Sequence, residues 1–590
     1  MRRVLVVLGV LTFNFPISAF NFLSAKPREV HLRWIHTSDV HASLFQYDYL
    51  RKTPSTGGLS AIYAYTQEQR SELGKRLILT DGGDCLQGQP TAYYYNFVDT
   101  VSPHLVAEAM NMVDYDCGAM GNHDVETGHE VYDRWIRQCR FPILGANVID
   151  TKTNKPYLQP YLMLEREGVR IAVLGMLTPA IPNWLPENLW SGLRFEEMVA
   201  SARKWVRIIR KREKPDLIVG IFHSGYDGGI VTPEYAENAV CQVAEQVPGF
   251  DLICYGHDHQ AATHYLKNRE GGDVVVMAPT SMGKRVAQAD IVLKIDKKGR
   301  IVSKSISATT PFIGGNQEVL PLAEKMEEVF TPQRQTLQQW VDQPIGTLEQ
   351  TIWERDAFFG SSEFIDLIHQ MQLDLSGADV SFAAPLSFDS RLQKGTIRVS
   401  DMFALYKYEN WLYTMRMTGR EIKGFLEMSY DLWTNQMTGP DDHLLLLDDN
   451  LDNGRRQGLK NLSFNMDSAA GIQYVVDVSK PEGQRVVIQC MADGTPFDLD
   501  REYKVALNSY RGNGGGELIT RGAGIPHEEL ANRLITSTDK DLRYYLMQRI
   551  IEQKTVVPKK LNQWRFVPEE WTKPAIERDR LLLFPNTRPQ

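Results

Sequence analysis

Short apolar runs that stop at glycine or a polar residue set the rhythm of the first half of the chain. Arg33-Trp34-Ile35-His36-Thr37 leads into Ser38-Asp39-Val40-His41, and Leu77-Ile78-Leu79-Thr80 into Asp81-Gly82-Gly83-Asp84. Residues 115–120 lead into Gly121-Asn122-His123-Asp124, residues 217–222 into His223-Ser224-Gly225, and Leu252-Ile253-Cys254-Tyr255 into Gly256-His257-Asp258-His259. Runs this short and this rich in β-formers predict strands. Further strands are predicted over 141–147, 169–175, 274–279 and 290–295. Helices are predicted over 59–73, 103–112, with Pro103 near the first turn, and 132–139. A basic amphipathic stretch over 195–211 predicts an outer helix with a solvated face.

The pattern changes after about residue 313. The charged, Glu- and Gln-rich stretch 319–341 predicts a linking helix. From Gly346 onward helices (361–372, 418–430) alternate with strand-like segments (413–417, 471–478, 503–507), which predicts a second, α+β domain. The Asp-rich run 441–456 predicts a loop with mobile character. The last segment, from Gln563, carries scattered Trp, Phe and Pro and predicts a strap along the surface. No internal repeat is evident.

Length agrees with this division, because 590 residues are too many for one core. Apolar residues make up 43% and charged residues 23%, as in a soluble globular protein. The net charge of −8 gives no general nucleic-acid footprint, so a duplex partner is not expected. Phosphate handled by such a chain must meet positive charge supplied locally, which bound cations would do. Met1-Arg2-Arg3, then an uncharged run over 4–11, then small residues at Ser18-Ala19 or Ser24-Ala25, form a signal-peptide layout. The expectation is export to a periplasmic or secreted location, with no later run long enough to span a membrane. The six cysteines lack zinc-site spacing and are compatible with disulfides or with buried free thiols. Cys85, beside Asp84, reads as packing.

Asp39 and His41 stand two apart, which places them on one face of a strand. Where the strand opens into a loop, both can turn toward one ion. A carboxylate and an imidazole suit zinc, manganese, iron or cobalt. One such terminus could be an ordinary turn. Five in series, each with a metal-type donor, point to a site on one rim of a sheet.

The motifs Asp39-x-His41, Gly83-Asp84, Gly121-Asn122-His123-Asp124, His223-Ser224 and Gly256-His257-x-His259, in that order, resemble the calcineurin-like metallophosphoesterases. The resemblance covers roughly residues 30–313. It implies a β-sandwich with helices on its outer faces and two divalent metal ions (zinc, manganese, cobalt or iron) at one edge. It further implies that Asp39, His41 and His259 hold one ion, that Asn122, His223 and His257 hold the other, and that Asp84 bridges them. Asn122 would also contact the phosphoryl oxygen. His123 would stabilise the transition state or protonate the leaving oxygen. Glu126 stands where relatives carry an Asp that orients this His, and Asp124 competes for that role.

The second half resembles the C-terminal domain of the exported 5′-nucleotidase superfamily over about 346–524. Four segments (383–386, 405–410, 417–423 and 508–515) are most similar to the 2′,3′-cyclic-nucleotide 2′-phosphodiesterase/3′-nucleotidases. The 5′-nucleotidases carry Asn-Gly-Gly-Gly-Ile-Arg, whose Arg helps bind phosphate. Residues 384–389 fill that stretch here, and Asp389 falls at the Arg position, where a carboxylate would repel phosphate. Arg391 lies close enough for a shifted alignment to restore the other reading. The resemblance also implies that Tyr408 and Tyr510 flank a nucleobase, a stacking arrangement worth roughly 1–3 kcal/mol per base.

The expected architecture is therefore α/β (α+β). It comprises a signal peptide (1–25), a metallophosphoesterase β-sandwich (30–313), a linking helix (314–345), a nucleotide-binding domain (346–560) and a tail (561–590). The expected activity is a dimetal-dependent hydrolase that converts 2′,3′-cyclic nucleotides to 3′-nucleotides and then to nucleoside plus phosphate. Two alternatives stand beside it: a 5′-nucleotidase or UDP-sugar hydrolase, and a binding protein that kept the fold and lost the chemistry.

Overall fold

The computed structural model describes residues 27–49, 52–315, 320–453 and 456–585, so the segment read as a signal peptide lies outside it. In the N-terminal domain the apolar runs form two six-stranded sheets packed face to face. One sheet runs Ile301–Thr309, Ala287–Ile295, Arg28–Thr37, Leu77–Asp81, Cys117–Ala119, Ile143–Leu144. The other runs Ala262–Lys267, Asp273–Ala278, Leu252–Tyr255, Leu217–His223, Val169–Leu177, Tyr161–Arg166. Between the sheets lie Trp34, Ile78, Val173, Val219, Ile221, Cys254, Met277 and Ala289. The alternate residues point outward under helices. Leu77 and Leu79 pack with Ile62, Met110 and Trp135 on one side, and Leu174 and Ile253 pack with Trp205 and Val243 on the other. Both faces of each inner strand are therefore buried, which is why these strands read as unbroken apolar runs rather than as alternation.

The inner strands of each sheet are parallel. Parallel strands deliver all their C-terminal ends to the same rim, and in open α/β sheets that rim is where ligands gather. The five polar termini found in the sequence all lie there.

Helices Leu59–Leu73, Leu105–Val113, His129–Gln138 and Met198–Arg212 form where the spacing predicts them. The linking stretch differs from expectation. It is two helices, Leu320–Val329 and Thr331–Val341, broken at Phe330, with Pro332 in the first turn of the second. Proline suits a first turn, where its missing amide needs no partner, which is where the second helix places it. Glu327 ties this region to the N-terminal domain. Its Oε1 accepts from the Gln46 amide (2.7 Å) and the Ser60 hydroxyl (2.9 Å), while Arg334 pairs with Oε2 at 3.2 Å.

The C-terminal domain holds a five-stranded sheet in the order Ser468–Ala470, Val380–Ala383, Glu502–Asn508, Trp411–Thr418, Leu534–Asp541. Helix Gly419–Trp433 packs on it, with Phe425 stacked on Phe382 at 4.0 Å between ring centroids. Two expectations are corrected here. The final segment is not a surface strap: Trp564–Val567 is a strand that pairs in parallel with Ile472–Asp477, and Glu569–Leu583 is a helix. Trp564 and Phe566 alternate inward against Tyr430, Trp433 and Tyr474. The described part of the Asp-rich run, 441–453, is irregular, as expected, but pinned at its start, because the buried Asp579 carboxylate accepts from the amides of Leu444 and Leu445, both at 2.9 Å.

The two domains meet over aromatic rings. Tyr93 lies against Trp340 and Phe403, at 6.2 and 5.5 Å between centroids, and the buried Arg543 guanidinium sits 5.0 Å from the Tyr93 ring and 4.2 Å from that of Phe403. Arg543 also donates to the carbonyls of Tyr406 and Lys407 and to Glu409, which fixes the loop that carries Tyr408. Among the described residues no helix is long and apolar enough to cross a membrane. All six cysteines are unpaired.

Trp564→Ala should lower unfolding stability by about 3–5 kcal/mol in a denaturant titration, as for a buried Trp; a surface strap would lose well under 1 kcal/mol. Burial pushes His369, held between Ser381 and Ser468, down to about 3. The unfolded chain therefore takes up this proton first as pH falls below 6.5, and stability is lost from there downward. Between pH 7 and 5.5 the wild type should lose about 1 kcal/mol more than His369→Gln, read from paired denaturation curves.

Candidate metal centre

Asp39 and His41 follow Arg28–Thr37, Asp84 follows Leu77–Asp81, and Asn122 follows Cys117–Ala119. His223 ends Leu217–His223, and His257 and His259 follow Leu252–Tyr255. Five of these seven candidate ligands have left-handed backbone: Asp39 (φ 55°), His41 (50°), Asp84 (58°), His257 (83°) and His259 (60°). For non-glycine residues that conformation is uncommon and costs energy, and such strain gathers at functional sites. It is held by hydrogen bonds between the turns, with the amides of Asp39 and His41 donating to the carbonyls of Gly83 and Asp84, both at 2.9 Å. Two glycines make the close approach possible. At Gly83 (φ 93°) a Cβ would overlap the Gly121 amide, and at Gly256 it would overlap Ser38 and the Asp39 carboxylate.

All seven side chains expected at the centre converge. The ligand atoms of Asp39, His41 and His259 lie within 4.8 Å of one another, and so do those of Asp84, His223 and His257. In the first group His41 Nε2 lies 3.0 Å from His259 Nε2, and His259 Nε2 lies 3.3 Å from Asp39 Oδ1. In the second, His223 Nε2 lies 3.1 Å from Asp84 Oδ2, while Asn122 Oδ1 lies 3.0 Å from His223 Nε2 and 2.8 Å from His257 Nδ1. Imidazole nitrogens and carboxylate oxygens aimed at common points form the donor set of borderline divalent cations. The residues therefore fit metal ions, with Asp84 grouped beside His223 and His257.

The protonation of the candidate ligands is uneven. Burial, reinforced by His259, pushes His41 down to about 3 and leaves it neutral, as a ligand must be. Asp84 is held well below the carboxylate range: burial opposes this, but His223 and His123 outweigh it. Burial would also lower His223, yet the charge and hydrogen bond of Asp84 raise it to about 9.

Around the candidate ligands stands a second ring of partners that the sequence reading missed. His223 Nδ1 lies 2.8 Å from the Gly82 carbonyl, His41 Nδ1 3.2 Å from that of Gln87, and His257 Nε2 2.9 Å from Glu237 Oε1. Trp184 lies against the His257 ring, at 5.6 Å between centroids. Two of the missed partners are backbone carbonyls, which no residue pattern advertises. Glu237 and Trp184 sit in irregular segments without a motif.

Beside the centre, His123 Nδ1 lies 2.5 Å from Glu126 Oε2. Asp124, the competing candidate, is occupied elsewhere: its carboxylate accepts from the amides of Gly121, Asp84, Cys85 and Leu86 at 2.8–2.9 Å. Glu126 is thus the carboxylate that holds His123. Burial opposes protonation of His123, but Asp84 and Glu126 raise it to about 10.

Tyr408 precedes strand Trp411–Thr418, and Tyr510 follows its antiparallel partner Glu502–Asn508. Because Leu412 pairs with Asn508, both tyrosines are delivered to the same end of the sheet. Both are part-exposed, and their rings do not contact each other. That end faces the candidate metal centre. Asn513 Nδ2 donates to the Trp184 carbonyl at 3.4 Å. Asp389 pairs with Arg355 at 3.3 Å, while Arg391 lies over the Trp353 ring.

Comparison with known proteins agrees with this arrangement. The calcineurin-like phosphoesterase family profile matches residues 32–261, and that of the 5′-nucleotidase C-terminal domain matches 344–521. The trifunctional nucleotide phosphoesterase of Bacillus subtilis is 27% identical over 98% of this chain, which spans 42% of that longer protein. The 2′,3′-cyclic-nucleotide 2′-phosphodiesterase/3′-nucleotidase of Yersinia enterocolitica is 26% identical over 92% of this chain and 89% of its own length. A protein solved from Staphylococcus aureus in complex with α-ketoglutarate shares the fold, with a TM-score of 0.73 at 20% identity over 91% of this chain and 99% of that one.

Gly83→Ala should cost the purified protein most of its bound metal, read by elemental analysis, while the circular dichroism spectrum stays that of the wild type. The added methyl would press on the backbone of Met120 and Gly121 and separate the Asp84 turn from the Asn122 turn.

Proposed function

The chain belongs to the family that joins a calcineurin-like phosphoesterase domain to a 5′-nucleotidase C-terminal domain, a family of metal-dependent phosphoric ester hydrolases, and on that premise we propose that it hydrolyses 2′,3′-cyclic nucleotides to 3′-nucleotides and these to nucleoside and phosphate. The observation that carries the reading is that two tyrosines at the end of one sheet face a cluster of seven metal-type ligands on the rim of another. A base held between Tyr408 and Tyr510 would present its ribose phosphate to Asn122 and His123. Substrate class is favoured by the named relatives and by Asp389, a carboxylate at the position where 5′-nucleotidases carry a phosphate-binding Arg.

In this reading Asp39, His41 and His259 would hold one divalent ion and Asn122, His223 and His257 the other, with Asp84 between them. Such ions supply charge neutralisation at the phosphoryl oxygens and lower the pKa of water. The chain's own residues do the rest. Asn122 orients the phosphoryl group. Glu126 accepts from His123 Nδ1 and fixes the ring, which leaves Nε2 to give a proton to the departing oxygen. A pKa raised to about 10 keeps that proton in place at neutral pH, and nearby cations would bring it back toward the range a general acid needs. In the first turnover water adds to phosphorus, the bond to the 2′-oxygen breaks and that oxygen takes the proton, leaving a 3′-monophosphate. In the second, water adds again and gives up a proton to solvent, the bond to the 3′-oxygen breaks, that oxygen takes the proton held by His123, and nucleoside and phosphate depart. The charged-then-apolar layout over 1–25 favours export as the setting.

With Mn²⁺ supplied, phosphate release from 3′-AMP and opening of 2′,3′-cyclic AMP should exceed release from 5′-AMP. The reverse order would favour a 5′-nucleotidase, and no chelator-sensitive turnover of any of the three would leave a binding protein. His123→Ala should lower kcat by about 10²–10⁴-fold at unchanged metal content; unchanged kcat would remove His123 from the chemistry.

A further inference from the structure

Of the candidate ligand histidines, His223 and His41 have backbone carbonyls behind them, whereas His257 has a carboxylate. Glu237 is held for this purpose. Its Oε2 accepts from the Ile230 amide at 2.8 Å, and its backbone carbonyl accepts from the hydroxyls of Thr178 (2.9 Å) and Ser224 (2.8 Å). Loop and carboxylate close on each other so tightly at Gly229 (φ 70°) that a Cβ there would crowd Oε2. Only Oε1 is left to face an imidazole, and it meets His257 Nε2 at 2.9 Å, with both side chains 14% exposed. The other nitrogen, Nδ1, is thereby turned toward Asn122 and the second candidate ion position. Trp184 then limits rotation of the ring from its face.

We propose that Glu237 is a positioning residue for metal binding: it holds His257 in the tautomer with Nε2 protonated and Nδ1 free, and its charge makes Nδ1 a stronger donor to one of the two ions. The inference rests on the reading of His257 as a ligand. It adds an asymmetry that the ligand set alone does not contain. One ion site depends on a side chain outside that set, on the loop between strand Leu217–His223 and helix Val240–Gln246, and so can be weakened separately from the other. Outer partners of this kind are worth about 10–100-fold in metal affinity.

The test is calorimetric titration of the metal-free full chain with Mn²⁺, for wild type, Glu237→Gln and Glu237→Ala. Wild type should bind two ions. Glu237→Ala should bind one with wild-type affinity and the other about 10–100-fold more weakly, with Glu237→Gln, which keeps an acceptor but loses the charge, in between. Activity of both variants should return at high Mn²⁺, and the thermal midpoints of their metal-free forms should stay near wild type. Two wild-type affinities in Glu237→Ala would overturn the role of Glu237 while leaving the ligand assignment intact. Equal weakening of both ions, or lost activity that excess Mn²⁺ does not restore, would overturn it as well. Fewer than two ions on the wild type would overturn the ligand assignment itself, and this inference with it.

Discussion

Desolvation of seven polar side chains crowded onto one rim is the constraint that the structure is built to meet. Asp39, His41, Asp84 and His223 are almost wholly buried, and ionised groups so placed are unfavourable unless paired or bound to cations. The molecule answers at two scales. Two parallel sheets carry the strand ends to one edge, and hydrogen bonds between neighbouring turns hold the backbone in left-handed conformations that isolated residues would leave. The core beneath contributes stiffness, since close-packed interiors give little when strained from above. Cations would then offset that desolvation, so metal affinity and backbone strain are two sides of one balance.

The second domain obeys a simpler logic. Its central strands run antiparallel in a register that brings the start of one beside the end of the other, so the loops after Leu405 and after Asn508 share an edge. Arg543 holds the first of these loops, and the Asn513–Trp184 contact links the second to the ring that covers His257. The loop that carries Tyr510 is thus linked to His257 through Asn513 and Trp184.

Much of this was legible in the sequence, for identifiable reasons. Strands buried on both faces announce themselves as apolar runs, and the polar residues that end them stand out; the family's motif order then picked the seven candidate ligands from those ends. His123 and Glu126 came from the family pattern, and the geometry separated Glu126 from Asp124 because Asp124 is spent on four backbone amides. What escaped notice depends on contacts distant in sequence. Glu237 gains meaning only from the ring it touches, and backbone carbonyls carry no residue signature. The last strand was misread because Trp and Phe next to Pro and Gln suggest a surface strap until a partner strand is known. The break at Phe330 was missed although Pro332 marks it, since charge and amphipathic character continue on both sides.

That last strand bears on how the protein is made. Trp564–Val567 completes a sheet whose central strand, Ile472–Asp477, is synthesised well before it, and its aromatic rings fill the middle of the C-terminal core. Until the ribosome has delivered that strand, this half lacks the wedge that locks it, so its core closes only after every other described strand has been made.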